Sequence, residues 1–214
     1  MLKWCMIAAA VLGTATACTP RKVSYTTLDG TMLGTTLHVI ADVRGIVPQE
    51  LRDSVMALDR EAKASMSIFD ETSLLSRLNR NETDSVDRHI ARCLALADSI
   101  GALSGGRYDV TVKPLVEAWG FAGKERTDEP NVDSLLEFVG REKVAIRSGR
   151  LVKSDPRVQL DFNSVAKGYT VDLLADLVER AGARNYIVDI GGEVRCKGVN
   201  PRGDAWRIGV ETPF

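Results

Sequence analysis

Residues 159–192, QLDFNSVAKGYTVDLLADLVERAGARNYIVDIGG, constrain the fold of this chain more than any other stretch. A short apolar run (Val158, Leu160, Phe162) leads into the polar corner Asp161-Phe162-Asn163-Ser164, and small and basic residues follow at Ala166, Lys167 and Gly168. Leu173, Leu174, Leu177, Val178 and Ala181 then recur at helical spacing. Gly182 stands where a left-handed cap is expected. Residues 186–190 read as a strand closed by Gly191-Gly192. The spacing predicts a strand, a corner, a helix and a second strand. Asn163 or Ser164 is expected to cap the helix. Free N–H groups, the helix dipole and Lys167 one turn in make the corner a natural anion site. Asp161 can accept from hydroxyl or amine groups or hold a metal-bound water. The glycine pair is expected to let a flat ligand approach the backbone. An ordinary strand–helix–strand unit with a solvated lysine fits the same local pattern.

The rest of the chain supplies a fold around that unit. Its 214 residues suit one domain or a compact pair of lobes, and 44% apolar content supports a packed core. A net charge of −1 excludes the basic excess of a nucleic-acid binder. Leu37, Val39, Ala41 and Val43 alternate as an early strand. Residues 48–66 read as a helix, with Pro48 in its first turn and Leu51, Val55, Leu58 and Ala62 on its buried stripe. Residues 86–103 form a second helix, with Ile90, Cys93, Leu94, Ala97 and Ile100 inward and His89 on the polar face. His38 lies mid-strand. Two separated histidines give a His-based metal site or triad little support. Val110 and Val112 suggest a short strand ended by Pro114, and Trp119 and Phe121 an anchor between lobes, with a ring stack as the alternative. Asp133 is expected to cap a helix reaching Gly140. Residues 143–147 and 151–153 form a hairpin around Ser148-Gly149, and Trp206, Ile208 and Val210 a last strand. Cys93 is expected to be buried. A bond to Cys196, placed just after a strand, has no support from spacing.

Residues 1–17 have the form of a secretory leader, with Lys3, an apolar run from Trp4 to Leu12, and a small-residue site at residues 15–17. The apolar run is too short to span a bilayer. Cys18 follows the cut, so lipid attachment there is expected, with a soluble extracytoplasmic product as the alternative. Residues 18–24 read as a tether.

DFNSVAKGYTVD followed by NYIVDIGGEVRCKG resembles the FAD:protein FMN transferases of the ApbE family. GTMLGTT (30–36), MSIFDETSLLSRLN (66–79), GGRYDVTVKPLVEAWGF (105–121) and WRIGVETP (206–213) extend the likeness in the family's order. The resemblance implies an α+β fold over residues 25–214, a mixed sheet flanked by helices. It implies transfer of FMN from FAD to a Thr or Ser hydroxyl of an acceptor protein, with release of AMP and a requirement for Mg²⁺. Carried onto this sequence, the family's FAD-contacting positions are Leu33 (usually Met), Phe69, Arg107 (usually small), Tyr108, Asp109, Asp161 and Lys167. Lys167 is the catalytic cation, and the Ser164 carbonyl is one magnesium ligand. The implied partner is a subunit of a membrane redox complex, met on the periplasmic side of a membrane to which Cys18 carries the lipid. Family members continue past residues 206–213 with an Asp and a Thr that complete the metal site. The chain stops at Phe214, so an incomplete C-terminal part is expected. A non-catalytic FAD-binding envelope lipoprotein is the alternative reading.

Overall fold

The computed structural model describes residues 24–121 and 129–210. The leader, Cys18 and most of the tether lie outside the described residues, as does the end of the last motif.

Two antiparallel strands open the fold, β1 (Thr26–Met32) and β2 (Thr35–Ala41). Helices α1 (Pro48–Met66), α2 (Leu74–Asn79), α3 (Arg88–Leu103), α4 (Lys113–Ala118) and α5 (Val132–Leu136) follow. The hairpin β3 (Val144–Arg147) and β4 (Arg150–Lys153) leads to the long helix α6 (Asn163–Arg180), then β5 (Tyr186–Ile190) and β6 (Glu193–Lys197). The main sheet has the order β1-β2-β5-β6, and each of its pairs is antiparallel. The class is α+β, with helices packed against the sheet.

Apolar spacing explains the long elements. On α1 the predicted stripe is buried, with Leu51 at 0% and Ala62 at 1% exposure. On α6, Leu174 and Val178 are fully buried. A Schellman-type end closes α6: Gly182 N–H donates to the Glu179 carbonyl (2.9 Å) and Ala183 N–H to that of Val178 (3.0 Å). Gly182 holds φ +85°, as the cap requires. The two-residue hairpin turns Leu33-Gly34, Ser148-Gly149 and Gly191-Gly192 have positive φ at both centres. That geometry matches the right-handed twist of the flanking strands.

Two apolar clusters share α1 and α6. One joins the sheet to the first half of α1 and the second half of α6. The other joins the end of α1, α2, α3, the β3–β4 hairpin and residues 158–169. Leu33 and Leu173 pack against both.

Several expectations are corrected. β1 was unanticipated, because only Leu28 and Met32 of its seven residues are buried and the apolar signal is thin. β2 ends at Ala41, where Asp42 turns inward to accept from the N–H groups of Arg184 and Asn185 (2.7 Å each). Residues 158–161 and 110–112 are not strands. Their one ladder contact is the parallel bridge Val112–Gln159, and Asp161 N–H donates to the Val110 carbonyl (2.7 Å). The apolar run is buried by helices instead, with Val158, Leu160 and Phe162 at 0% exposure. His89 is buried, not solvated: its ring nitrogens meet the Tyr169 hydroxyl (3.0 Å) and Glu61 (2.9 Å), which together replace water. Helix α5 stops at Leu136 and is capped by Asn131 rather than Asp133. Trp119 and Phe121 remain exposed. Cys196 lies inside β6, and Cys93 and Cys196 are both free thiols. Residues 206–210 form no strand, since no described strand pairs with them.

Candidate active site

Where the two clusters meet, the β1–β2 turn, the end of α1 and the start of α6 enclose a groove of about 680 Å³. That size is ordinary for a small-molecule or cofactor site. Leu33, Gly34 and Thr35 form one wall, Ala62, Lys63 and Met66 of α1 the floor, and Phe69 and Asp70 the rim. Asn163, Ala166 and Lys167 of α6 close the other side.

Each wall has a local cause. Leu33 takes φ +52°, a left-handed conformation that costs a non-glycine residue about 1 kcal/mol. Its N–H donates to Asp59 of α1 (2.8 Å), which pins the strained turn over the groove. Phe69 is 69% exposed, yet its backbone is fixed. The Ser67 hydroxyl accepts from the N–H groups of Phe69 (3.1 Å) and Asp70 (3.2 Å). Phe69 therefore sits on the rim of the groove with most of its surface open to solvent. Thr35 is fixed from behind by Gly191. A Cβ on Gly191 would come within 2.6 Å of the Thr35 side chain. The glycine pair therefore serves the hairpin and this close approach.

The corner before α6 departs from the expected cap. Phe162 is the N-cap residue, and the Asp161 carboxylate accepts from Asn163 N–H (2.7 Å). Asp161 is buried, and burial pushes its carboxyl above the usual range, opposed by the Asn163 bond and by nearby Lys113. The backbone of Leu160, the residue before it, is clamped in turn by Asn79. The Asn79 amide donates to the Leu160 carbonyl (2.8 Å), and Leu160 N–H donates back to the Asn79 side-chain oxygen (2.7 Å).

The structure thus brings Leu33, Phe69 and Lys167 to one groove. Lys167 meets Glu193 at 3.2 Å. Tyr108 and Ser164 join through their hydroxyls (2.8 Å), beside the Asn163 wall. Asp109 is turned away to its own loop: it accepts from Thr111 N–H (2.8 Å) and hydroxyl (2.7 Å) and from Arg141 N–H (2.8 Å). Arg107 is exposed and contacts the Ser104 carbonyl at 3.4 Å. Lys63, Met66 and Thr35 line the groove without having been singled out in the sequence. The one signal for Lys63 is its place four residues after Asp59 on α1.

A flat apolar ring fits the groove chemically, with Leu33, Ala62, Met66 and Phe69 as apolar contacts and Lys167 for an anion. Magnesium does not fit the donors present. No three His, Cys, Asp or Glu side chains converge among the described residues. The Ser164 carbonyl alone falls far short of six oxygen ligands.

The model of the ApbE family matches residues 33–214. The chain belongs to the ApbE family. It is 33% identical to an FAD:protein FMN transferase of Haemophilus influenzae, over 97% of this chain and 64% of that protein. Against the corresponding Vibrio cholerae protein the identity is 35%, over 87% of this chain and 58% of that one. Among solved structures, the flavin transferase ApbE of Vibrio cholerae superimposes with a TM-score of 0.83 at 33% identity, over 89% of this chain and 64% of that one. The apo flavinyl transferase ApbE of Pseudomonas stutzeri gives 0.82 at 28% identity, over 88% and 66%. The ApbE chain described here therefore spans a little under two thirds of the length of the first relatives it matches.

Proposed function

We propose that this chain is the FAD-binding part of an FAD:protein FMN transferase. The observation that carries the reading is the convergence of Leu33, Phe69 and Lys167 on one groove. These residues come from three separate motifs, in a chain whose relatives are named for that activity.

In this reading the isoalloxazine ring lies against Phe69 and Leu33, where stacking adds to apolar burial. The diphosphate lies beside Lys167, and the Lys167 ammonium leaves Glu193 to neutralise it. Asp161 holds the corner from beneath by fixing Asn163, and Tyr108 and Ser164 order its outer edge. The acceptor's Thr or Ser oxygen bonds to the FMN phosphorus, the bridging P–O bond to AMP breaks, and the hydroxyl proton is released. Lys167 lowers the barrier by opposing charge that builds on the phosphate oxygens. Magnesium enters through the family likeness alone, and this chain's described donors complete no site for it. The acceptor is a protein with an exposed Thr or Ser on the outer side of a membrane. Lipid on Cys18 holds the enzyme there, with a soluble periplasmic form as the alternative. Among the described residues no helix is long and apolar enough to cross a membrane.

Titration of this chain with FAD, followed by flavin fluorescence, tests the reading. Saturable binding that Lys167→Ala weakens by about tenfold or more is expected. Absence of binding, or binding indifferent to Lys167, would refute it.

A further inference from the structure

Among the described residues two lysines line the groove, and only Lys167 is accounted for by the family's motif. Lys63 stands on the α1 side and Lys167 on the α6 side of the same cavity. Each is parked on a carboxylate: Lys63 on Asp59 (2.7 Å), Lys167 on Glu193 (3.2 Å). Asp59 has a second donor, the Leu33 N–H at 2.8 Å, so it keeps a partner when Lys63 leaves. The third charged residue of the lining, Asp70, is bound to its own loop. It accepts from Thr72 N–H (2.8 Å) and hydroxyl (2.7 Å), which hold its carboxyl below the usual range.

Resting on the FAD reading above, we propose that Lys63 is a second diphosphate-binding cation of this groove. A diphosphate carries two negative charges, and Lys167 offers one positive charge. A lysine is a flexible point charge with three donors, and the half-exposed Lys63 side chain is able to swing from Asp59 to a doubly charged ligand. Lys63 and Lys167 then grip the diphosphate from the α1 and α6 sides of the groove. The swing leaves Asp59 holding the Leu33 turn, so the apolar wall stays in place while the cation moves. Lys63 contributes to FAD affinity through charge, and a ligand with the same ring but no phosphate does not engage it.

The test compares FAD with riboflavin, which lacks phosphate, on this chain and on Lys63→Gln, Lys63→Arg and Lys167→Gln. Lys63→Gln is expected to weaken FAD roughly tenfold and to leave riboflavin within about twofold. Lys63→Arg, which keeps the charge, is expected to restore most of the FAD affinity. The loss in Lys63→Gln is expected to shrink as salt rises. Unchanged FAD affinity in Lys63→Gln, alongside a clear loss in Lys167→Gln, would overturn the role of Lys63 and leave the FAD reading intact. Equal losses for FAD and riboflavin would overturn it too, because they would place Lys63 in the shape of the wall. Failure of the unaltered chain to bind FAD would overturn both.

Discussion

Replacing Asn79 with Ala tests how the corner of the site is held. Asn79 is 4% exposed and Leu160 is fully buried. Two hydrogen bonds of 2.8 and 2.7 Å join the Asn79 amide to both backbone polar groups of Leu160. The truncation strands a buried N–H and a buried C=O where water has no access. Each stranded group costs about 1–3 kcal/mol, so a total loss of roughly 2–6 kcal/mol is expected. Urea denaturation of the two chains measures it as a fall in midpoint at constant slope. Asn79→Asp sharpens the test. Its carboxylate still accepts from Leu160 N–H, but its second oxygen faces the Leu160 carbonyl. Protonation turns that oxygen into a donor, so the deficit of Asn79→Asp should shrink as the pH is lowered. Leu160 precedes Asp161, so FAD affinity should fall in both variants at urea concentrations well below unfolding. A loss under about 1 kcal/mol for Asn79→Ala, or a pH-independent deficit for Asn79→Asp, would refute the clamp.

Three further predictions follow from the same structure. Asp161 is buried with a raised carboxyl, so the native chain loses stability as pH rises from about 3.8 through the raised value. Asp161→Asn keeps an acceptor for Asn163 N–H and should melt higher than the parent at pH 7, with the gap closing on acidification in calorimetry. Asp42 has the opposite sign. Burial alone would raise its carboxyl, but hydrogen bonds from Asn185, Arg184 and Arg44 outweigh that and hold it low. Its stabilisation is present at neutral pH and lost as pH falls through the lowered value, so Asp42→Asn should cost about 1.5–3 kcal/mol at pH 7 and progressively less below about 3.8. Phe69→Ala removes a ring that is 69% exposed. Its unfolding midpoint should stay within about 0.5 kcal/mol of the parent, while riboflavin and FAD affinities both fall by about 3–10-fold.

Local periodicity made much of the fold legible. The bounds of α1 at Pro48 and Met66 follow from Pro48, the acidic first turn and the apolar stripe. The β3–β4 hairpin and β5 follow from alternation between turn residues. What sequence could not show is how distant segments satisfy one another. Asn79 and Leu160 are 81 positions apart, and their mutual bonds hold the mostly buried residues 158–161 in place outside any strand. His89 reads as polar by helical phase, yet Glu61 and Tyr169 arrive from α1 and α6 to bury it. At the site, Leu33 and Phe69 stood out through the family likeness, since alone each passes for a core residue, whereas Lys167 already marked an anion corner by its place one turn into the helix. Lys63 carried only an i,i+4 partner, the commonest decoration of an exposed helix face. Its place in the groove depends on the angle at which α1 meets α6, which no local spacing encodes.

The claim at the centre of this account is that the bend joining Asp161 to Lys167 and the Leu33 turn enclose one FAD site. A crystal of this chain grown with saturating FAD tests it most directly. The account predicts the isoalloxazine against Phe69 and Leu33, with the diphosphate between Lys63 and Lys167. Density for FAD elsewhere on the chain, or an unaltered groove under saturating cofactor, would contradict it.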